Sequence, residues 1–91
     1  MALDEERYIS QLVTILQEAG KDGLRLHIIA LTLYNMNRDI FSEGDDYESI
    51  RSWLSAYLRK QVIDRRTPFA KVKDKKTGRY IRGYYRIKQT V

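Results

Sequence analysis

The 91-residue sequence predicts a single α+β domain, mainly α, made of three helices followed by a two-stranded β-hairpin. Three observations carry that expectation. Apolar residues recur at helical spacing up to about residue 61, the period changes to two from Thr67, and the turn "KKTG" sits between the two alternating runs.

The first helix is expected over about residues 5–19. Tyr8, Ile9, Leu12, Val13 and Leu16 follow the i, i+3, i+4 pattern of an amphipathic helix. Asp4 is placed to cap it, Leu3 and Tyr8 to staple across the cap, and Gly20 to supply the left-handed stop. After "KDG", Leu24 and Leu26 suit a very short strand. It leads into a second helix at about 27–36, whose Ile28, Ile29, Leu31, Leu33, Tyr34 and Met36 are apolar over most of the circumference. Such a helix is expected to pack on several sides.

The stretch "NRDIFSEGDD" is polar, and five acids fall between Asp39 and Glu48, which marks an exposed connection. The third helix is expected from about 46 to 61, starting at Asp45 or Asp46 with Glu48 as a capping-box partner. Tyr47, Ile50, Leu54, Tyr57 and Leu58 share one face, and Trp53 lies at its margin. The opposite face carries Ser49, Ser52, Ser55, Ala56 and Arg59, flanked by Arg51 and Lys60.

For the hairpin, about 67–88, pairing of Asp74 with Arg79 sets Val72 opposite Ile81 and Ala70 opposite Gly83, an apolar face completed by Tyr85 and Ile87. The same register puts Phe69, Lys71, Lys73, Tyr80, Arg82, Tyr84 and Arg86 outside, with Lys71 directly across from Arg82. Like charges facing each other across a ladder are unfavourable, and a bridging anion would relieve them. The interleaved tyrosines can stack on bases or lie against the cations.

Charge is distributed unevenly. Residues 1–64 carry 7 basic and 11 acidic side chains, residues 65–91 carry 10 basic side chains and only Asp74, and the whole chain is +5. Such segregation describes a surface for a polyanion. Cysteine is absent, which excludes disulfides and thiolate chemistry, and His27 stands alone, so neither a zinc site nor any other metal or cofactor is expected. Asp45 and Asp46 lack the alternating ligands of a calcium loop. Tyr80, Tyr84 and Tyr85 have no general acid or metal beside them in the pattern, so no catalytic residue and no enzymatic activity is expected. The acidic N-terminus and the lack of a long apolar run suggest a cytoplasmic protein with no membrane partner.

The order helix, short strand, helix, helix, hairpin resembles a winged helix-turn-helix domain. More narrowly, "TPFAKVKDKKTGRYIRGYYRI" following "YESIRSWLSAYLRK" is similar to the HARE-type winged-helix domains, in which the third helix closes on a Ser/Thr-Pro-Phe step and the second hairpin strand has a Gly-aromatic start. The resemblance spans roughly Gly20 to Ile87 and implies DNA binding, with the third helix in a major groove and the hairpin, the wing, on backbone or minor groove. It suggests a transcriptional regulator or accessory factor.

The expected wing contacts are Lys71, Lys73, Lys75, Lys76, Arg79, Tyr80, Arg82, Tyr84 and Arg86. Those of the third helix and beyond are Ser49, Ser52, Ser55, Arg59, Lys60, Arg65 and Arg66. Because Glu43, Asp45, Asp46 and Glu48 surround the start of that helix, wing contacts are expected to dominate. Two other readings fit the same charge pattern: a winged-helix module that docks a protein partner, and RNA binding through the aromatic hairpin. No long heptad segment is present, so a monomer or a weak homodimer through the first helix or a sheet edge is expected.

Overall fold

The computed structural model describes residues 5–38 and 46–88. In chain order they form α1 (Glu5–Ala19), a 3-10 turn (Gly20–Asp22), β1 (Leu24–Arg25), α2 (Leu26–Asn37), α3 (Tyr47–Ile63), β2 (Phe69–Lys73) and β3 (Tyr80–Ile87). The three strands make one antiparallel sheet in the order β1-β3-β2. This is an α+β fold, mainly α. The short strand before α2 exists as Leu24–Arg25, one residue earlier than its expected end, and it pairs with β3 through Leu24 with Tyr85 and Arg25 with Tyr84.

α1 buries Tyr8, Leu12, Ile15 and Leu16, the stripe that its period demands, with Val13 half-buried against the same core. Gly20 stops it with φ +72°, as expected. The proposed cap and staple at Asp4 and Leu3 lie outside the described residues. Ile29, Ala30 and Leu33 of α2 and Ile50, Leu54 and Leu58 of α3 meet the α1 stripe, and Phe69 and Ile87 close the core from the sheet.

Expectation and structure part at α2. Only one side is buried, while Ile28 and Leu31 are each 39% exposed and Met36 is 49% exposed. A three-helix domain with one small sheet has only enough partner surface to cover one face of this helix. Asn37, at its end, is buried and made compatible with the core by two bonds, its Nδ2 donating to Gln11 Oε1 at 2.6 Å and to the Leu33 carbonyl at 2.7 Å.

Asp46 is the N-cap of α3, and its carboxylate accepts from the Ser49 N–H at 2.8 Å. That makes Ser49, not Glu48, the third residue of the helix, so the expected capping box does not form at Glu48. Hydrogen bonds from the Ser49 backbone and side chain hold the Asp46 carboxyl below its ordinary value of 3.8. The helix runs to Ile63, two residues past its expected end. It is closed by Thr67, whose hydroxyl lies 2.6 Å from the Gln61 carbonyl and 3.1 Å from that of Asp64, while its N–H donates to Asp64 at 3.2 Å. Pro68 then prevents any return to helix.

Trp53 sits at the margin of the core, as its position on α3 suggested. Its Nε1 donates to Glu5 Oε1 at 3.0 Å, its ring stacks on Tyr57 at 5.1 Å, and Tyr8 lies 5.7 Å away. The bond and the ring contacts tie the start of α1 to the middle of α3. His27 is exposed at the start of α2, where its Nδ1 is 2.6 Å from the Tyr47 hydroxyl.

The hairpin register holds at the loop and fails beyond it. Asp74 donates its N–H to Arg79 O at 2.8 Å and Lys73 faces Tyr80, as expected. Past Val72 the pairing shifts by three residues, so Lys71 faces Tyr85, Ala70 faces Arg86 and Phe69 faces Ile87. Gly83, at φ +81°, lies in the extra length of β3. Phe69, expected on the outer face, is therefore buried, and Ala70, expected inside opposite Gly83, is only half-buried opposite Arg86. Val72 keeps an inward position because Gly23 leaves room for it.

Candidate nucleic-acid interface

The turn between β2 and β3 consumes the hairpin's one acid. Asp74 Oδ1 accepts from the Lys76 N–H at 2.8 Å, and the Asp74 carbonyl accepts from Gly78 N–H at 2.8 Å. Thr77 Oγ1 accepts from the Arg79 N–H at 3.2 Å. Asp74 thus shapes the turn. The side chains of Lys75, Lys76 and Arg79 around it are exposed.

The shifted register replaces the expected facing of Lys71 and Arg82 with a different arrangement. The ammonium groups of Lys71 and Lys73 both approach the ring of Tyr80, at 5.6 and 5.2 Å from its centroid. Tyr80 is 59% exposed, so both cations stay in solvent while the negative face of the ring offsets part of their repulsion. Tyr84 is half-buried and takes the Arg25 guanidinium at 5.8 Å, which brings a cation from β1 onto the sheet surface. Arg82 is exposed, and Arg86 is half-buried opposite Ala70.

On α3, Ser52, Arg59 and Lys60 are exposed and Ser55 is half-buried. A shallow hollow beside Leu26 is lined by Arg51, Ser52, Ser55, Ala56 and Arg59, with Glu48 as the one carboxylate among the described lining residues. Ser49 is exposed but engaged with Asp46 in the cap, which removes it from the free donors of this face. Arg66 is similarly engaged, its Nε and Nη2 each 3.2 Å from the Asp64 carboxylate. These bonds hold the Asp64 carboxyl below its ordinary value of 3.8. Of the acids expected to crowd the start of α3, Glu43 and Asp45 lie outside the described residues.

A groove of about 880 Å³ runs along β2, between that strand and the end of α3. Six cations line it: Lys21, Arg65, Lys71, Lys73, Arg86 and Lys88, with no carboxylate among the described lining residues. Lys88 ends the basic run expected to form the wing, whereas Lys21 was not anticipated from sequence, nor was Arg25 beside Tyr84. Lys21 and Arg25 are isolated cations far along the chain from the hairpin, and only the pairing of β1 with β3 brings that segment to the sheet. Lys88, at the end of the basic run, is anchored to the chain after α3 through the Arg65 carbonyl. Ile63, in the same groove, follows Arg59 by one helical turn, so the exposed stripe of α3 leads into it.

No family model, curated protein or solved structure matched the chain.

Proposed function

We propose that this chain is a non-enzymatic winged-helix module that binds duplex DNA through the basic, aromatic hairpin, with the Ser52, Ser55 and Arg59 face of α3 lying in or near the major groove. The observation that carries the proposal is the pair of ammonium groups, Lys71 and Lys73, gathered at the exposed ring of Tyr80 on a hairpin whose one acid is bound up in its own turn. Two like charges held together in solvent repel one another, and a phosphate between or beside them converts that repulsion into attraction. Lys75, Lys76, Arg79 and Arg82 extend the positive surface along and around the turn. The wing supplies most of the affinity, because phosphate contacts position a protein on the duplex without reading its sequence. Arg59, whose fork suits the guanine edge, is the residue that reads a base. A role as a transcriptional regulator or accessory factor follows from this reading.

The test is binding of a labelled duplex across a salt series, comparing the wild type with a Lys71→Ala, Lys73→Ala, Arg82→Ala variant. Contact with four or five phosphates corresponds to a log–log slope of about −4, and the variant should be flatter by about 2 to 3. Absence of binding at low salt would refute the proposal.

A further inference from the structure

The groove along β2 has features that a phosphate-binding surface does not require. Its floor includes Phe69 and Val72, and at the end of α3 it is walled by Val62 and by Ile63, which is 81% exposed. A duplex backbone offers nothing apolar of matching size to such a wall. Among the described residues β2 is also an edge strand, with β3 its one neighbour in the sheet.

The hydrogen-bond parity of the hairpin shows which main-chain groups face that open edge. Lys88 N–H donates to Pro68 O at 2.6 Å and Asp74 N–H to Arg79 O at 2.8 Å, so both ends of β2 adjoin hydrogen-bonded pairs. Alternation along an antiparallel ladder then places Phe69, Lys71 and Lys73, which face Ile87, Tyr85 and Tyr80, at the positions between those bonds. Their own N–H and C=O groups point away from β3, at intervals of roughly 7 Å along the strand.

We infer that the groove receives an extended acidic peptide of a partner protein, added as a fourth strand on the β2 edge with an aliphatic side chain against Ile63. This goes beyond the DNA-binding proposal; the groove shares Lys71, Lys73 and Tyr80 with that surface and leaves out the turn cations Lys75, Lys76 and Arg79. Charge complementarity selects the occupant: six cations line the groove, so glutamates or aspartates alternating with apolar residues would meet the cations with one face and the apolar wall with the other. A second copy of this chain is disfavoured on the same edge, because β2 pairing with β2 would set these cations against one another.

The probe is a labelled peptide of about nine residues alternating glutamate with valine, compared with an oligoglutamate of equal charge. Expected is binding at least about tenfold tighter for the alternating peptide, with amide NMR shifts centred on Phe69, Lys71 and Lys73. N-methylation of the peptide at alternate positions should abolish binding in one phase and spare it in the other, since one set of amides pairs with β2. Ile63→Ser, at an exposed position that leaves the fold intact, should weaken the peptide about three- to tenfold. Equal affinity for oligoglutamate, insensitivity to N-methylation, or displacement by a short single-stranded oligonucleotide unaffected by Ile63→Ser would each overturn the inference and make the groove a purely electrostatic surface.

A Lys75→Ala, Lys76→Ala variant separates the two proposals. It should lose duplex affinity and keep the peptide; in the wild type, peptide failure with intact duplex binding refutes the groove alone, and duplex failure with intact peptide binding refutes the DNA reading alone.

Discussion

Val72 occupies the space that a side chain on Gly23 would need: a Cβ built there stands 2.7 Å from a Val72 methyl carbon and 2.3 Å from the Tyr85 carbonyl oxygen. Gly23 has φ +64° and ψ −164°, a region open in practice to glycine alone. Gly23→Ala therefore combines backbone strain with a clash against two strands, and should cost about 2–5 kcal/mol. Urea unfolding followed by the fluorescence of Trp53, the one tryptophan, measures this directly. A loss below about 0.5 kcal/mol would show that the sheet does not close on this glycine.

Asn37 is a buried polar group whose satisfaction depends on two elements. Asn37→Ala removes the side-chain bonds to the Leu33 carbonyl and to Gln11 from a buried position and should destabilise by about 1–3 kcal/mol. Asn37→Asp should be worse at neutral pH, since a carboxylate would face the Leu33 carbonyl. The difference between the two variants should narrow as acid protonates the new side chain, in contrast to a simple loss of volume.

The Asp46 cap makes stability depend on pH in a defined direction. Its carboxyl is held below 3.8 in the folded state by Ser49, so the contribution is fully present above that value and is lost as pH falls through the lower folded-state value. Wild type should thus be more stable than Asp46→Ala at neutral pH, and the gap should narrow as pH falls below 3.8 and through the lower folded-state value. Denaturation midpoints across that range test it. A gap that stays constant to the lowest pH would mean that charge plays no part in the cap.

Tyr80 is placed to hold Lys71 and Lys73 at the hairpin surface, which distinguishes its ring from its hydroxyl. Tyr80→Phe keeps the ring face and should bind duplex DNA within about twofold of wild type, whereas Tyr80→Ala should lose about three- to tenfold at constant fold. Equal losses in both variants would assign the contact to the hydroxyl.

The helices were legible because a period of 3.6 survives wherever one face is buried, as the Tyr8 to Leu16 stripe and the Ile50, Leu54, Leu58 row show. The hairpin turn was legible for a local reason: Asp74 and Gly78 write the loop geometry into the chain. The register beyond Val72 was not, since strict alternation carries no signal for an inserted stretch. Gly83 alone inside a strand pattern was the clue to an irregularity there. The exposed side of α2 was misread for a different reason: composition shows what a helix can bury, not how much partner surface the domain offers. In the candidate site, the hairpin cations and the Ser/Arg face of α3 were visible as a charge run and a helical face. The groove was hidden because it joins Lys21, Arg65 and Lys88 from three parts of the chain.

β3 lies between β1 and β2, although it is the last of the three in chain order. During synthesis β1 and β2 emerge without a partner, and neither can complete its ladder until Tyr80–Ile87 leaves the ribosome. Until then Phe69 and Val72 are without the strand that helps to enclose them, and a newly made chain passes through a stage in which its helices have formed against an incomplete core. A released fragment that ends in the turn, before Tyr80, would hold the protein at that stage, where the unpaired β2 is most open to capture by a chaperone.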